Sequence, residues 1–153
     1  MRKTGFKVNE IDYLIVTHFH IDHAGTIQEL KNHGVKFILF DLQQHFIVPM
    51  ENISLRKWPY TPLKPDDNNM LRIEESKEFL KSIGIMGQIV ATSGHSADSI
   101  SLVLDSGESF TGDLSAEFLL TENDFEQKQS WQKLKQLGVK EVFPSHGNSY
   151  KIQ

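Results

Sequence analysis

The stretch Val16–Gly25, VTHFHIDHAG, holds His18, His20, Asp22 and His23 within six consecutive positions. Imidazole nitrogens and carboxylate oxygens are metal ligands and proton carriers, and packing gives no reason to crowd them. Two further histidines stand in short segments after apolar runs: His95 in TSGHS and His146 in PSHG. Asp113 closes another run in FTGDL. A solvated polar turn explains any one of these single residues. It does not explain a compact cluster followed by three isolated N and O donors, each placed just after a strand-like segment. Such a donor set suits zinc, iron or manganese.

The elements that must position these groups are legible from hydropathy. Tyr13–Val16 and Lys36–Phe40 are continuous apolar runs of strand length, and GQIVAT and SISLVL read the same way. Ser106–Glu108 separates LVLD from SFTGD and predicts a hairpin turn. Helical spacing is expected over 24–33, stopped by Gly34, and over 75–83, stopped by Gly84. Asp41 is placed to cap a helix over 42–50. Residues 125–137 carry a stripe of Trp131, Leu134 and Leu137, expected to pack in the core, before Gly138. A last short strand is expected over 139–143. Prolines at 59, 62 and 65 mark a loop, whose Trp58 and Tyr60 either plug the core edge or wall a groove. Thr17 and Phe19 alternate away from the histidines if the chain stays extended there. His33 reads as a helix-end residue and His45 as a surface residue. Each chemically rich segment follows a strand, where layered α/β folds place their sites.

Composition bounds the rest. At 153 residues the chain suggests a single domain, 1–153, able to bury a sizeable core. A net charge of −4 argues against a broad basic face for nucleic acid. With no cysteine, disulfides and thiolate ligands are excluded. No apolar run has the length of a membrane span or a secretory leader, so the expectation is a cytoplasmic protein with no membrane or nucleic-acid partner.

The order THFHIDH, TSGHS, FTGDL, PSHG resembles the metallo-β-lactamase superfamily of metal-dependent hydrolases, from about Ile11 to Gly147. The resemblance implies an α+β fold, the αββα four-layer sandwich. It implies two divalent metal ions, zinc foremost, with iron or manganese as alternatives. His18, His20 and His95 would hold the first, Asp22, His23 and His146 the second, and Asp113 would bridge them. A bridging hydroxide would be the nucleophile, with Asp22 orienting it and carrying a proton toward the leaving group. With no cysteine ligand, the set is most similar to hydroxyacylglutathione hydrolases, lactonases and esterase-like members. Only seventeen positions precede His18, so the sandwich is expected to be N-terminally shortened. Truncation, completion through a second copy as a homodimer, and a shortened protein that binds metal poorly are the competing explanations. The chain ends six residues after Gly147, which disfavours a glutathione thioesterase with its added helical part. No basic arm of the tRNA-processing kind is visible. The expected activity is hydrolysis of a small-molecule ester, thioester or lactone. The alternative is a metal-binding module or truncated fragment without turnover.

Overall fold

The computed structural model describes residues 7–57, 59–64 and 68–152. The chain divides into two compact units, one running to Leu71 and the other starting at Arg72.

The first unit is a parallel three-stranded sheet, β1 (Tyr13–Leu14), β2 (Lys36–Phe40) and β3 (Asn69–Leu71), with β2 central. Four of the five β2 residues are buried, which is why this strand reads as an unbroken apolar run rather than an alternating one. Phe37 and Leu39 join Val16, Phe19, Ala24, Ile27, Met50 and Leu63 in the unit's core. The helix expected over 24–33 is two short pieces, α1 (Ile21–Ala24) and α2 (Ile27–Asn32). Gly34, with φ +91°, ends the second as expected. The helix expected over 42–50 is a 3₁₀ turn, Asp41–Phe46, followed by α3 (Ile47–Lys57). Asp41 accepts from the adjacent Leu42 amide at 2.9 Å as the first residue of the 3₁₀ turn, rather than capping an α-helix. Trp58 lies outside the described residues. Tyr60 packs on the core edge, and its hydroxyl donates to Glu51 Oε1 at 3.2 Å.

The second unit is a five-stranded mixed sheet in sequential order: β4 (Gly87–Ala91), β5 (Ile100–Leu104), β6 (Glu108–Gly112), β7 (Glu141–Pro144) and β8 (Tyr150–Lys151). The expected hairpin joins β5 and β6, pairing Leu102 with Phe110 and Val103 with Ser109. β6 and β7 run parallel, so a crossover must link them, and α5 (Phe125–Gln136) lies within it. Trp131 and Leu134 are almost wholly buried and pack with Val103, Leu114, Val139 and Val142. Leu137, expected on that stripe, is 39% exposed because it is the C-cap residue, where the helix has already ended. A shorter helix, α4 (Ser76–Ser82), is tied to β4 by Ser76 Oγ, which receives the Ile89 amide at 3.0 Å and donates to the Ile89 carbonyl at 3.3 Å.

Candidate metal-ligating residues

In the first unit the chain leaves β1 extended and enters α1 at His20, whose backbone is still extended (φ −90°, ψ 153°). Two-residue alternation therefore points His18 and His20 the same way and sends Phe19 into the core. His18 Nε2 faces His20 Nδ1 at 2.9 Å. One turn of helix then places Asp22 and His23 beside them. The His18 and His23 rings are 4.2 Å apart, and His23 Nε2 is 3.4 Å from Asp22 Oδ2. His18 is fully buried, whereas His20 and Asp22 are exposed. The buried member is oriented from behind, since Thr17 Oγ1 lies 3.1 Å from His18 Nδ1 and leaves Nε2 to face the cluster. The backbone of the segment is held by Gln43. This side chain is fully buried and donates from Nε2 to the Val16 carbonyl at 3.1 Å and the Thr17 carbonyl at 3.4 Å.

In the second unit three separate strand ends deliver His95, Asp113 and His146. His95 Nε2 is 3.5 Å from Asp113 Oδ2, and His146 Nε2 is 3.7 Å from Asp113 Oδ1. The carboxylate thus offers one oxygen to each imidazole. Asp113 is aimed by a register shift between Phe110 and Gly112, where Gly112 takes φ +59°. The Ser145 amide donates to the Gly112 carbonyl at 2.9 Å, which ties the His146 segment to the Asp113 segment.

Helix α5 braces both loops. Ser130 Oγ donates to the Ser93 carbonyl at 2.8 Å, two residues before His95. Trp131 Nε1 donates to the Ser115 carbonyl at 2.8 Å, and Gln127 Oε1 accepts from the Ser115 amide at 2.9 Å, two residues after Asp113. Gly94 is pressed against the same helix: a Cβ there would lie 2.8 Å from the Gln127 backbone nitrogen. Thr17, Gln43, Gln127 and Ser130 all escape a reading of the sequence, because they touch residues distant in the chain or carry no motif of their own. His33 and His45 take no part in either group. His33 Nδ1 meets the Glu29 carbonyl at its own helix end, and His45 is an exposed residue of the 3₁₀ turn.

Every donor in these two groups is an imidazole nitrogen or a carboxylate oxygen, and ring nitrogens and carboxylates face one another at 2.9–3.7 Å. That chemistry fits borderline divalent metals better than calcium or magnesium, which prefer oxygen alone.

A parallel sheet with a histidine-rich turn at its edge, and a second sheet whose strand ends carry His, Asp and His in that order, define a metallo-β-lactamase fold. The chain belongs to the metallo-beta-lactamase superfamily, which it matches over residues 1–146. It is 27% identical over 140 residues to the Beta-lactamase-like protein 2 homolog of Drosophila melanogaster, covering 90% of this chain and 45% of that protein. It is also 27% identical over 146 residues to the homolog of the same name in Caenorhabditis elegans, covering 91% of this chain and 43% of that protein. The chain therefore spans less than half the length of these relatives. Among solved structures it resembles TTHA1623, crystallised in a di-iron-bound form, with TM-score 0.67 and 20% identity over 98% of this chain and 75% of that one. Members of the superfamily are generally hydrolases. Among the described residues no helix is long and apolar enough to cross a membrane.

Proposed function

We propose that the chain acts as a dinuclear metal-dependent hydrolase on a small ester, thioester or lactone. In this reading His18, His20 and His95 hold one ion, Asp22, His23 and His146 hold the other, and Asp113 serves both. The observation that carries it is the placement of Asp113, whose two oxygens face His95 and His146 separately. These are the imidazoles that the resemblance assigns to different ions, so the carboxylate has the disposition of a bridge. The paired orientation of His18 Nε2 and His20 Nδ1 supports the first half-set.

When bound, the ion pair supplies Lewis acidity and a water acidified to near neutral pKa, so hydrolysis needs no strong side-chain base. Zinc is the proposed metal, as N/O sites with imidazole suit it, and iron is the first alternative. The chain's own groups do the rest. Thr17 would fix the orientation of His18, and Asp22, exposed at the head of α1, would orient the attacking water and carry its proton to the leaving group. The helix α5 contacts tie down the Ser93 and Ser115 backbones, which stand two residues from His95 and Asp113 respectively.

The test is metal content by elemental analysis, with hydrolysis of a panel of acetyl and butyryl esters, thioesters and lactones. Two ions per chain and chelator-sensitive turnover are expected, both lost in His20→Ala. Metal-dependent turnover that survives His20→Ala defeats the ligand assignment. Two bound ions with no turnover across the panel defeats the hydrolase reading and leaves a metal-binding module.

A further inference from the structure

The cavity beside His95, Asp113 and His146 has a volume of about 450 Å³, in the range of small-molecule sites. Its polar wall is the ligand residues. Its lining also includes the large apolar side chains of Phe118 and Leu119 and the ring of Tyr150. No lysine or arginine lines it among the described residues. A carboxylate or phosphate on the substrate would therefore find no side-chain cation there. Phe118 and Leu119 sit on the 3₁₀ turn Glu117–Leu119 and are 78% and 66% exposed, an adjacent pair of large apolar side chains at a cavity rim. The Phe118 and Tyr150 rings meet edge to face at 6.0 Å. A second cavity, of about 470 Å³, is bounded by the same two rings, by Trp131 and Ile152, and at its charged side by Glu117 and Lys151. Phe118 and Tyr150 line both cavities and so form the apolar part that the two share. In the first unit, His20 and Asp22 likewise border an apolar cavity of about 220 Å³, with Phe19, Met50 and Ile53.

We propose that Phe118, Leu119 and Tyr150 form an acyl-chain subsite, so that the substrate is an ester or thioester of an uncharged acyl group longer than acetyl. This rests on the hydrolase reading above and narrows it. The scissile carbonyl would lie at the His95–Asp113–His146 end, and the hydrocarbon chain would cover Phe118 and Leu119. The gain from each methylene removed from water corresponds to about fourfold in transition-state binding.

The test uses the zinc-loaded chain and the p-nitrophenyl esters of acetate, butyrate, hexanoate and octanoate. We expect kcat/KM to rise about fourfold per methylene from acetate to hexanoate. The double variant Phe118→Ser, Leu119→Ser should reduce that slope to less than about twofold per methylene, since about half or more of the contact is removed. Both side chains are exposed, so the variant is expected to fold, and circular dichroism checks this. Acetate turnover with a flat or falling profile overturns the subsite and leaves the hydrolase reading standing. If no ester is turned over, the hydrolase reading fails, and direct binding decides the subsite. Octanoate and acetate are then titrated against Trp131 fluorescence in a Trp58→Phe background. At least tenfold tighter octanoate binding, abolished by the double variant, sustains an acyl site. Equal binding of the two overturns it.

Discussion

Gly94→Ala is the substitution for which the structure yields a separable magnitude. Gly94 has φ +127°, a conformation an L-residue adopts only under strain, at about 1–2 kcal/mol. A Cβ would also lie 2.8 Å from the Gln127 nitrogen and 3.0 Å from its Cα, both backbone atoms of α5. Side-chain rotation cannot relieve that collision, so the helix or the loop must move, at about 1–3 kcal/mol by analogy with overpacked cores. Together these predict a loss of about 2–5 kcal/mol. Gly84→Ala is the control in the same unit. Its φ is +83°, and nothing lies within 4 Å of the added methyl. That substitution should cost the strain alone, about 1–2 kcal/mol. In a Trp58→Phe background, urea unfolding followed by the fluorescence of Trp131, which is 1% exposed, reads both variants in one unit. For a chain of this length the Gly94→Ala melting temperature should fall by roughly 2–4 °C per kcal/mol. Equal losses for Gly84→Ala and Gly94→Ala would refute the argument that α5 sits hard against the His95 loop. A weakened zinc affinity in Gly94→Ala alone would tie that packing to the ligand geometry.

Thr17→Val removes the hydroxyl beside His18 Nδ1 while keeping the side chain's volume. Zinc affinity, measured by chelator competition, should fall by about 10–100-fold, and an unchanged affinity would remove Thr17 from the orienting role. Leu134→Ala, at a fully buried position, should cost about 2–5 kcal/mol, whereas Leu137→Ala, at an exposed helix end, should stay within about 0.5 kcal/mol. Comparable losses at both would contradict the observed end of α5. Burial, and then the Glu51 carboxylate, push the Tyr60 phenol above its usual range. The unfolded chain therefore loses this proton first. The stability that Tyr60 contributes is full below about pH 10 and declines as the pH rises beyond it. Tyr60→Phe should flatten the alkaline arm of a stability–pH profile, and an unaltered arm would show that Glu51 and burial do not act on this phenol.

Local patterns account for what could be read in the chain without coordinates. Lys36–Phe40 is strand for its whole apolar run, and Ser106–Glu108 marks the hairpin turn, because burial and turn chemistry act within a few residues. The alternation of His18 with His20 is likewise set by neighbouring backbone and was legible, whereas the helical step that carries Asp22 and His23 was not, since a helix was expected only from Ala24. The short strands β3 and β8 left no pattern, since two or three residues pair only when a partner strand is already in place. The single helix expected over 24–33 failed because its apolar spacing continued across the break between Ala24 and Ile27.

The chain order of imidazoles and carboxylates, and the family they indicate, were determined by sequence alone, since ligand chemistry is a property of residue type. What only the tertiary structure decided is which groups bond to the backbone around the candidate ligands. Gln43 reaches back to Val16 and Thr17, while Gln127, Ser130 and Trp131 reach from α5 to the loops around His95 and Asp113. The apolar lining of Phe118, Leu119 and Tyr150 beside His95, Asp113 and His146 is of the same kind. These contacts join residues from 12 to 37 positions apart. Their donors and acceptors are ordinary amides, hydroxyls and carbonyls, which acquire meaning only when folding brings them within hydrogen-bond distance.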